Sequence, residues 1–260
     1  MNITVLNNDE NEMIFTLEKT TPAFANTIRR LYIDEVPTLA IEDVEFRQNS
    51  SIHYDETVAH RLGLMPIKTD LKSYNLPDKC KCEGEGCAQC QLKMKLNVTG
   101  PAEVIAKDVK STDPKATLIH DKTPIVKLLK DQAIELEATA VLGKGRNHMK
   151  WSPGHMYYKY MPKIAIGTVT NVDEVVECCP KGVFEKKGGK VSIVKNKLFD
   201  CHLCGACEKV SGGTVKLEPS GTDFIVCAES WGQLSVKDAL LETCAIMDEK
   251  LTEFAKLLKK

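Results

Sequence analysis

Thr21-Pro22-Ala23-Phe24-Ala25-Asn26-Thr27-Ile28-Arg29-Arg30-Leu31, running on to Glu35-Val36-Pro37-Thr38-Leu39-Ala40-Ile41, is the stretch from which the fold is read. Thr21 offers a side-chain oxygen at an N-cap position, and Pro22 suits the first helical position, where its missing N–H is not needed. Phe24, Ile28, Leu31 and Tyr32 follow i, i+4, i+7 and i+8, giving one apolar face to a helix that reaches about Glu35. Arg29 and Arg30 flank that face. Val36-Pro37 stops the helix, and Leu39-Ala40-Ile41, then Val44 and Phe46, begin strands.

Before this stretch, Ile3 to Leu17 reads as a strand hairpin around Asn7-Asn8, with Ile3 and Val5 on one arm and Met13, Phe15 and Leu17 on the other. After it, residues from Ser50 to roughly Pro162 are strand-rich. Leu92, Met94, Leu96 and Val98 alternate with polar residues, and Ile134 to Leu142 forms a second such run. Val183-Phe184 and Val191, Ile193 and Val194 bracket Gly188-Gly189 as another hairpin. At the far end Ser235 is an N-cap and Asp238 suits the first helical turn. From there Leu240, Cys244, Met247, Leu251, Phe254 and Leu258 recur at steps of four and three, a heptad-like stripe.

A chain of 260 residues can bury a real core and predicts two or three domains. Lys plus Arg number 35 against 36 for Asp plus Glu, so no global basic field supports sequence-independent nucleic-acid binding. Met1-Asn2-Ile3-Thr4-Val5 lacks the basic and apolar regions of a secretory signal, and no apolar run reaches the roughly 20 residues that cross a bilayer. The expectation is therefore a cytoplasmic protein, where 11 cysteines read as metal ligands before disulfides.

Eight of those cysteines fall into two groups. Cys201, Cys204 and Cys207 stand at x2 spacing, and Cys179 is followed by Pro180, as in half of a bacterial-type ferredoxin. Ser211 occupies the place of the next ligand, so one complete set remains: Cys179, Cys201, Cys204 and Cys207. This set predicts one [4Fe–4S] cluster, with a [3Fe–4S] cluster on the three close thiols, zinc, or an ordinary buried thiol set as alternatives. Cys178 is read as a bystander, since the Cys-Pro pair matches the pattern. Cys80, Cys82, Cys87 and Cys90, with Gly84 and Gly86 between them, predict a four-thiolate knuckle for Zn2+, against a loop with incidental thiols. Cys227 and Cys244 read as small core residues. His60, His148 and His155 lack metal spacing, Gly143-Lys144-Gly145 is too short for a phosphate loop, and no catalytic residue is identified.

Several stretches away from the cysteines resemble one family. Thr21 to Leu31 with Glu35 to Ile41, Ala59-His60-Arg61-Leu62-Gly63-Leu64-Met65-Pro66-Ile67, Gly145 to Pro153, and Glu229-Ser230-Trp231-Gly232 are similar, in order, to the alpha-type subunit family of RNA polymerase. The inserted ferredoxin-like unit points to its archaeal branch. The resemblance implies an α+β fold: an alpha-type dimerisation domain (1–46 and 225–260), an inserted α+β domain with the four-cysteine knuckle (47–165), and a ferredoxin-like iron–sulfur domain (166–224). It implies a non-catalytic assembly subunit of DNA-directed RNA polymerase that pairs with the small subunit L. Helices of L would pack on Phe24, Ile28 and Leu31 and on the Leu240, Cys244, Met247, Leu251, Phe254 and Leu258 stripe. Subunits N and P and the second-largest subunit would follow, with DNA met only through the assembled enzyme and no membrane contact.

The knuckle resembles the zinc site of the equivalent eukaryotic polymerase II subunit, with one extra residue in its middle spacing. The loop Gly145 to Pro153 would touch the second-largest subunit, or else form an internal turn with Trp151 buried. The competing readings are an iron–sulfur redox protein or oxidoreductase subunit, and a zinc-dependent nucleic-acid module. The missing second set of thiols argues against the first, and the balanced charge against the second.

Overall fold

The computed structural model describes residues 1–259. In chain order the elements are β1 (Asn2–Asn8), β2 (Glu12–Glu18), α1 (Pro22–Asp34), β3 (Pro37–Asn49), α2 (Asp55–Gly63), β4 (Gln91–Thr99), β5 (Ala102–Ile105), β6 (Lys110–Ser111) and β7 (Pro124–Leu128). There follow β8 (Ala133–Lys144), β9 (Gly154–Ile166), α3 (Val172–Glu177), β10 (Phe184–Lys187), β11 (Lys190–Ile193), α4 (Ala206–Val210), β12 (Val215–Ser230) and α5 (Val236–Leu257). They divide into two compact units, one of residues 1–8, 14–27 and 157–227, the other of 9–13, 28–156 and 228–260.

The first unit carries a four-stranded sheet of order β1-β2-β12-β9. Phe15, Leu17, Phe224, Ile225 and Val226 are buried in this unit. Tyr158 and Tyr160 set their rings 5.5 and 5.3 Å from that of Phe224, within the range of favourable aromatic pairs. A smaller apolar cluster of Val172, Val175, Val183, Phe184, Val191 and Val215 sits under α3, α4 and the β10–β11 hairpin. That hairpin pairs Phe184 with Ile193 and Lys186 with Val191, turning at the two glycines the sequence marks.

The second unit is built on a sheet of order β3-β8-β4-β6, with β5 and β7 forming a separate pair. Register explains its core. Leu92 faces Ala140, Met94 faces Ala138 and Leu96 faces Leu136, so one pleated face is wholly apolar. On the other side of β8, Leu39 pairs with Leu142 and Ile41 with Ala140. Helix α2 adds Val58 and Leu62 to this core, each fully buried, a side-chain burial of about 1.5–3 kcal/mol apiece. The sequence reading takes 50–162 as strands and passes over this helix.

The two long helices begin as the sequence predicts. The Thr21 hydroxyl accepts from the Phe24 N–H (3.3 Å), and the Ser235 hydroxyl accepts from the Asp238 N–H (3.1 Å). Among the described residues, no helix is long and apolar enough to cross a membrane.

Candidate cysteine centres and the exposed helix face

The knuckle lies between a 3-10 turn, Pro77–Lys79, and the start of β4. Its chain reverses through Glu83, Gly84 and Gly86, all at positive φ. Gly86 takes φ +97°, a conformation that calls for glycine, while a Cβ there would meet only the movable end of the Gln91 side chain. The Asn75 N–H donates to the Gln89 carbonyl (2.7 Å) and the Gln91 N–H to the Cys87 carbonyl (2.9 Å), closing the loop on itself.

This closure brings the four sulfurs within 4.8 Å of one another. Cys80 and Cys87 are 3.6 Å apart, Cys82 and Cys90 3.4 Å, and Cys87 and Cys90 3.8 Å. Zn–S bonds of about 2.3 Å in a tetrahedron require S···S edges of about 3.8 Å, so the set is already sized for one ion. The Cys87 N–H donates to the Cys90 sulfur (3.2 Å) and the Gln89 N–H to that of Cys87 (3.4 Å). A hydrogen bond from the Gly86 backbone, then the neighbouring thiols, hold Cys82 down at about 6, while burial pushes Cys90 up to about 12. Metal uptake would therefore expel protons. The four cysteines could hold a metal ion.

Cys179, Cys201, Cys204 and Cys207 instead line one small cavity, together with Val183 and Phe184. Cys201 and Cys207 belong to the apolar cluster of the first unit, and Cys179 packs against it. Leu203 and Gly205 both take positive φ, the turns that carry the chain from one thiol to the next. Unlike the knuckle, this set is not a group whose sulfurs all lie within 4.8 Å of one another among the described residues. A polynuclear cluster spreads its thiolates wider than a single ion does.

The Cys178 thiol turns back to the Val175 carbonyl (3.2 Å) and is not part of the cavity wall. Ser211 accepts from the Val215 N–H (2.9 Å) and donates to the Glu208 carbonyl (3.2 Å), so its hydroxyl closes a turn. A residue the sequence reading passes over is Lys159, whose ammonium donates to the carbonyls of Phe199 (2.5 Å) and Cys201 (3.2 Å); burial lowers its pKa.

Helix α5 presents two faces. Val236, Ala239, Thr243 and Ile246 are buried. The heptad stripe lies one residue further on at each step, about 100° around the helix. Leu240 and Met247 are half-buried, while Leu251, Phe254 and Leu258 are 54%, 60% and 71% exposed. Cys244 is exposed as well. It is not the core residue its apolar surroundings predict, because its buried neighbour Thr243 takes the inward position. On α1, Ala25, Tyr32 and Ile33 are buried, and Phe24, Ile28 and Leu31 are half-buried along one side.

A third constellation carries no cysteine. Glu35, 7% exposed, accepts from Lys144 (3.0 Å), Arg146 (3.0 Å) and Lys250 (3.2 Å). Burial alone would raise its pKa; the hydrogen bonds from Lys144 and Lys250, and their charges, outweigh burial and hold it at about 2. Its three partners lie far away along the chain, so no local pattern announces it.

Residues 44–156 match the RNA polymerase Rpb3/RpoA insert domain. Proteins named DNA-directed RNA polymerase subunit Rpo3 are similar along nearly the whole chain. The protein from Methanosphaera stadtmanae is 38% identical, covering 96% of both chains. That from Archaeoglobus fulgidus is 37% identical over 99% of this chain and 98% of its own, and that from Methanosarcina acetivorans 36% over the same shares. The chain belongs to the archaeal RNA polymerase subunit Rpo3 family. Membership makes it a non-catalytic, alpha-type assembly subunit of a DNA-directed RNA polymerase, and the redox-protein alternative finds no support among these relatives.

The stretches that resemble the Rpo3 family's alpha-type relatives can now be seen as structure. In Ala59 to Ile67, Leu62, Met65 and Ile67 are buried and Leu64 is exposed. In Gly145 to Pro153, Trp151 is buried, its indole N–H donating to the Val141 carbonyl (3.1 Å), with the Lys150 ammonium over its ring at 4.4 Å. Met149 of the same loop is exposed. Near the fourth stretch, the Tyr32 hydroxyl donates to the Glu229 carbonyl (2.9 Å), while Trp231 stays 44% exposed.

Proposed function

We propose that this subunit nucleates a cytoplasmic RNA polymerase by pairing with the small subunit L. The pair then takes up subunits N and P and the second-largest subunit, for which the exposed Met149 side of the Gly145 to Pro153 loop is the contact. The observation that carries the pairing is the α5 stripe. Its inward face is already used by Val236, Ala239, Thr243 and Ile246, so Leu251, Phe254 and Leu258 are left without cover in this chain. Exposed large apolar residues repeating along one helical seam suit a second helix. Phe24, Ile28 and Leu31 on α1 are further proposed contacts for L.

The proposed organisation is a dimerisation domain of residues 1–46 and 225–260, an inserted α+β domain of 47–165, and a ferredoxin-like iron–sulfur domain of 166–224. Zn2+ on Cys80, Cys82, Cys87 and Cys90 is supported by their spacing in three dimensions. A [4Fe–4S] cluster on Cys179, Cys201, Cys204 and Cys207, or [3Fe–4S] on the last three, is supported by the one cavity that all four thiols line. Either group would act structurally here, the ion by closing the 80–90 loop and the cluster by tying Cys179 to the 201–207 segment. DNA is met only through the assembled enzyme.

The test is co-expression with subunits L, N and P, followed by anaerobic purification through a tag on this chain. The reading expects L to co-purify, with one zinc and one cluster's iron and sulfide per chain. Leu251→Asp with Phe254→Asp should lose L while keeping both metals; retention of L by that variant rules out the seam.

A further inference from the structure

The distal part of α5 is held at two points that depend on different things. Ile246 is the last buried residue of the helix among the described residues, and beyond it two side-chain ties join α5 to the rest of its unit. One tie is Lys250, which donates to the buried Glu35 beside Lys144 and Arg146. The other comes from the knuckle. Lys79 ends the 3-10 turn directly before Cys80, and its ammonium meets the Glu249 carboxylate at 3.0 Å. Between the two ties runs an open groove of about 250 Å³, lined by Pro37, Leu76, Ile246 and Glu253 among others.

An ion pair this exposed is worth little when both partners are free to wander, because holding two long side chains together costs entropy. It gains when the backbone on each side is already fixed. Glu249 sits on a helix. Lys79 stands between two anchors: on one side its N–H donates to the carbonyl of Leu76 (3.0 Å), which packs on the core, and on the other the Cys80 N–H donates to the Pro77 carbonyl (3.4 Å) where the knuckle loop and its converging thiols begin.

We propose that the knuckle is a metal-dependent brace for the pairing helix, acting through the Lys79–Glu249 contact. With an ion bound, the Cys80 side of Lys79 is locked and its ammonium is held toward α5; emptied, the four thiols lose their common centre and the contact weakens. The Glu35 tie does not pass through the knuckle, so metal loss loosens α5 beyond Ile246 without unfolding it. Leu251 and Phe254 lie just past Glu249, so the seam would meet its partner less ordered and with more entropy to lose. This inference rests on the readings that the knuckle holds Zn2+ and that α5 is the pairing helix.

The experiment is hydrogen–deuterium exchange on the full-length chain, zinc-loaded and chelator-stripped under anaerobic conditions, with zinc measured on the same samples. Amides of 246–253 should exchange about two- to fivefold faster after stripping, the range of an exposed ion pair, while those of 236–243 hold. Glu249→Gln should exchange at the faster rate even when fully loaded, with its zinc content unchanged. Equal exchange over 246–253 in samples whose zinc has fallen overturns the brace, as does loaded Glu249→Gln that behaves as the parent does. A chain that takes up no zinc overturns the knuckle reading itself, and the brace with it.

Discussion

The knuckle and the cavity each gather four thiols, yet they stand differently toward the protein around them. In the knuckle the sulfurs touch one another at 3.4–3.8 Å in a loop pinned by glycine turns and short backbone bonds. In the cavity, Cys201 and Cys207 are themselves members of the apolar cluster formed with Val175, Val183 and Phe184. The first arrangement is a clasp on a surface loop. The second is a hydrophobic core with four thiols facing one small cavity. Emptying a clasp should loosen what it touches, whereas emptying a core should undo the segment built on it.

The largest effect should follow from breaking the core. Cys201→Ser is expected to abolish iron and sulfide content and to cost the surrounding segment about 3 kcal/mol or more, since metal-binding energy there is folding energy. Pairing with L should survive, while uptake of the remaining subunits drops at least tenfold in a reconstitution assay. Unchanged assembly by this variant would show that the cluster is not structural.

Glu35 provides a middle case, a polar centre that needs no metal. Its carboxyl is held at about 2 against an ordinary 4.5, so the fold favours the ionised form. The stabilisation is complete above pH 4.5 and is lost as pH falls from there toward 2; it amounts to about 3 kcal/mol. Urea melts at pH 7 and pH 3 should show this slope, and Glu35→Gln should flatten it. If the variant keeps the full acid sensitivity, other carboxylates carry it.

The smallest effect belongs to the clasp. Cys82→Ser should lower zinc content measurably and reduce the unfolding free energy from urea melts by no more than about 1 kcal/mol, as for a surface change away from the core. A global loss comparable with that of Cys201→Ser would erase the contrast between the two centres.

What could be read from the chain alone followed local chemistry. The alternation of Leu92, Met94, Leu96 and Val98 became β4, and the Thr21 and Ser235 caps begin their helices. Helix α2 escaped because only Val58 and Leu62 face the core, two residues among charged ones. The neighbour relation of β9 to β12 was equally hidden, since pairing across some 50 residues leaves no local mark. Spacing gathered the knuckle thiols correctly into one group. It could not tell which side of α5 turns inward, and so Cys244 was read as core. Glu35 with Lys144, Arg146 and Lys250 lay beyond sequence reasoning, because its members come from three distant segments.

The central claim is that the outer face of α5 is half of a seam completed by subunit L. Sedimentation velocity on this chain alone, with L, and with Leu251→Asp/Phe254→Asp tests it most directly. The account predicts a one-to-one complex with L that the double variant fails to form. A chain that stays a stable monomer in the presence of L, with or without those substitutions, would contradict it.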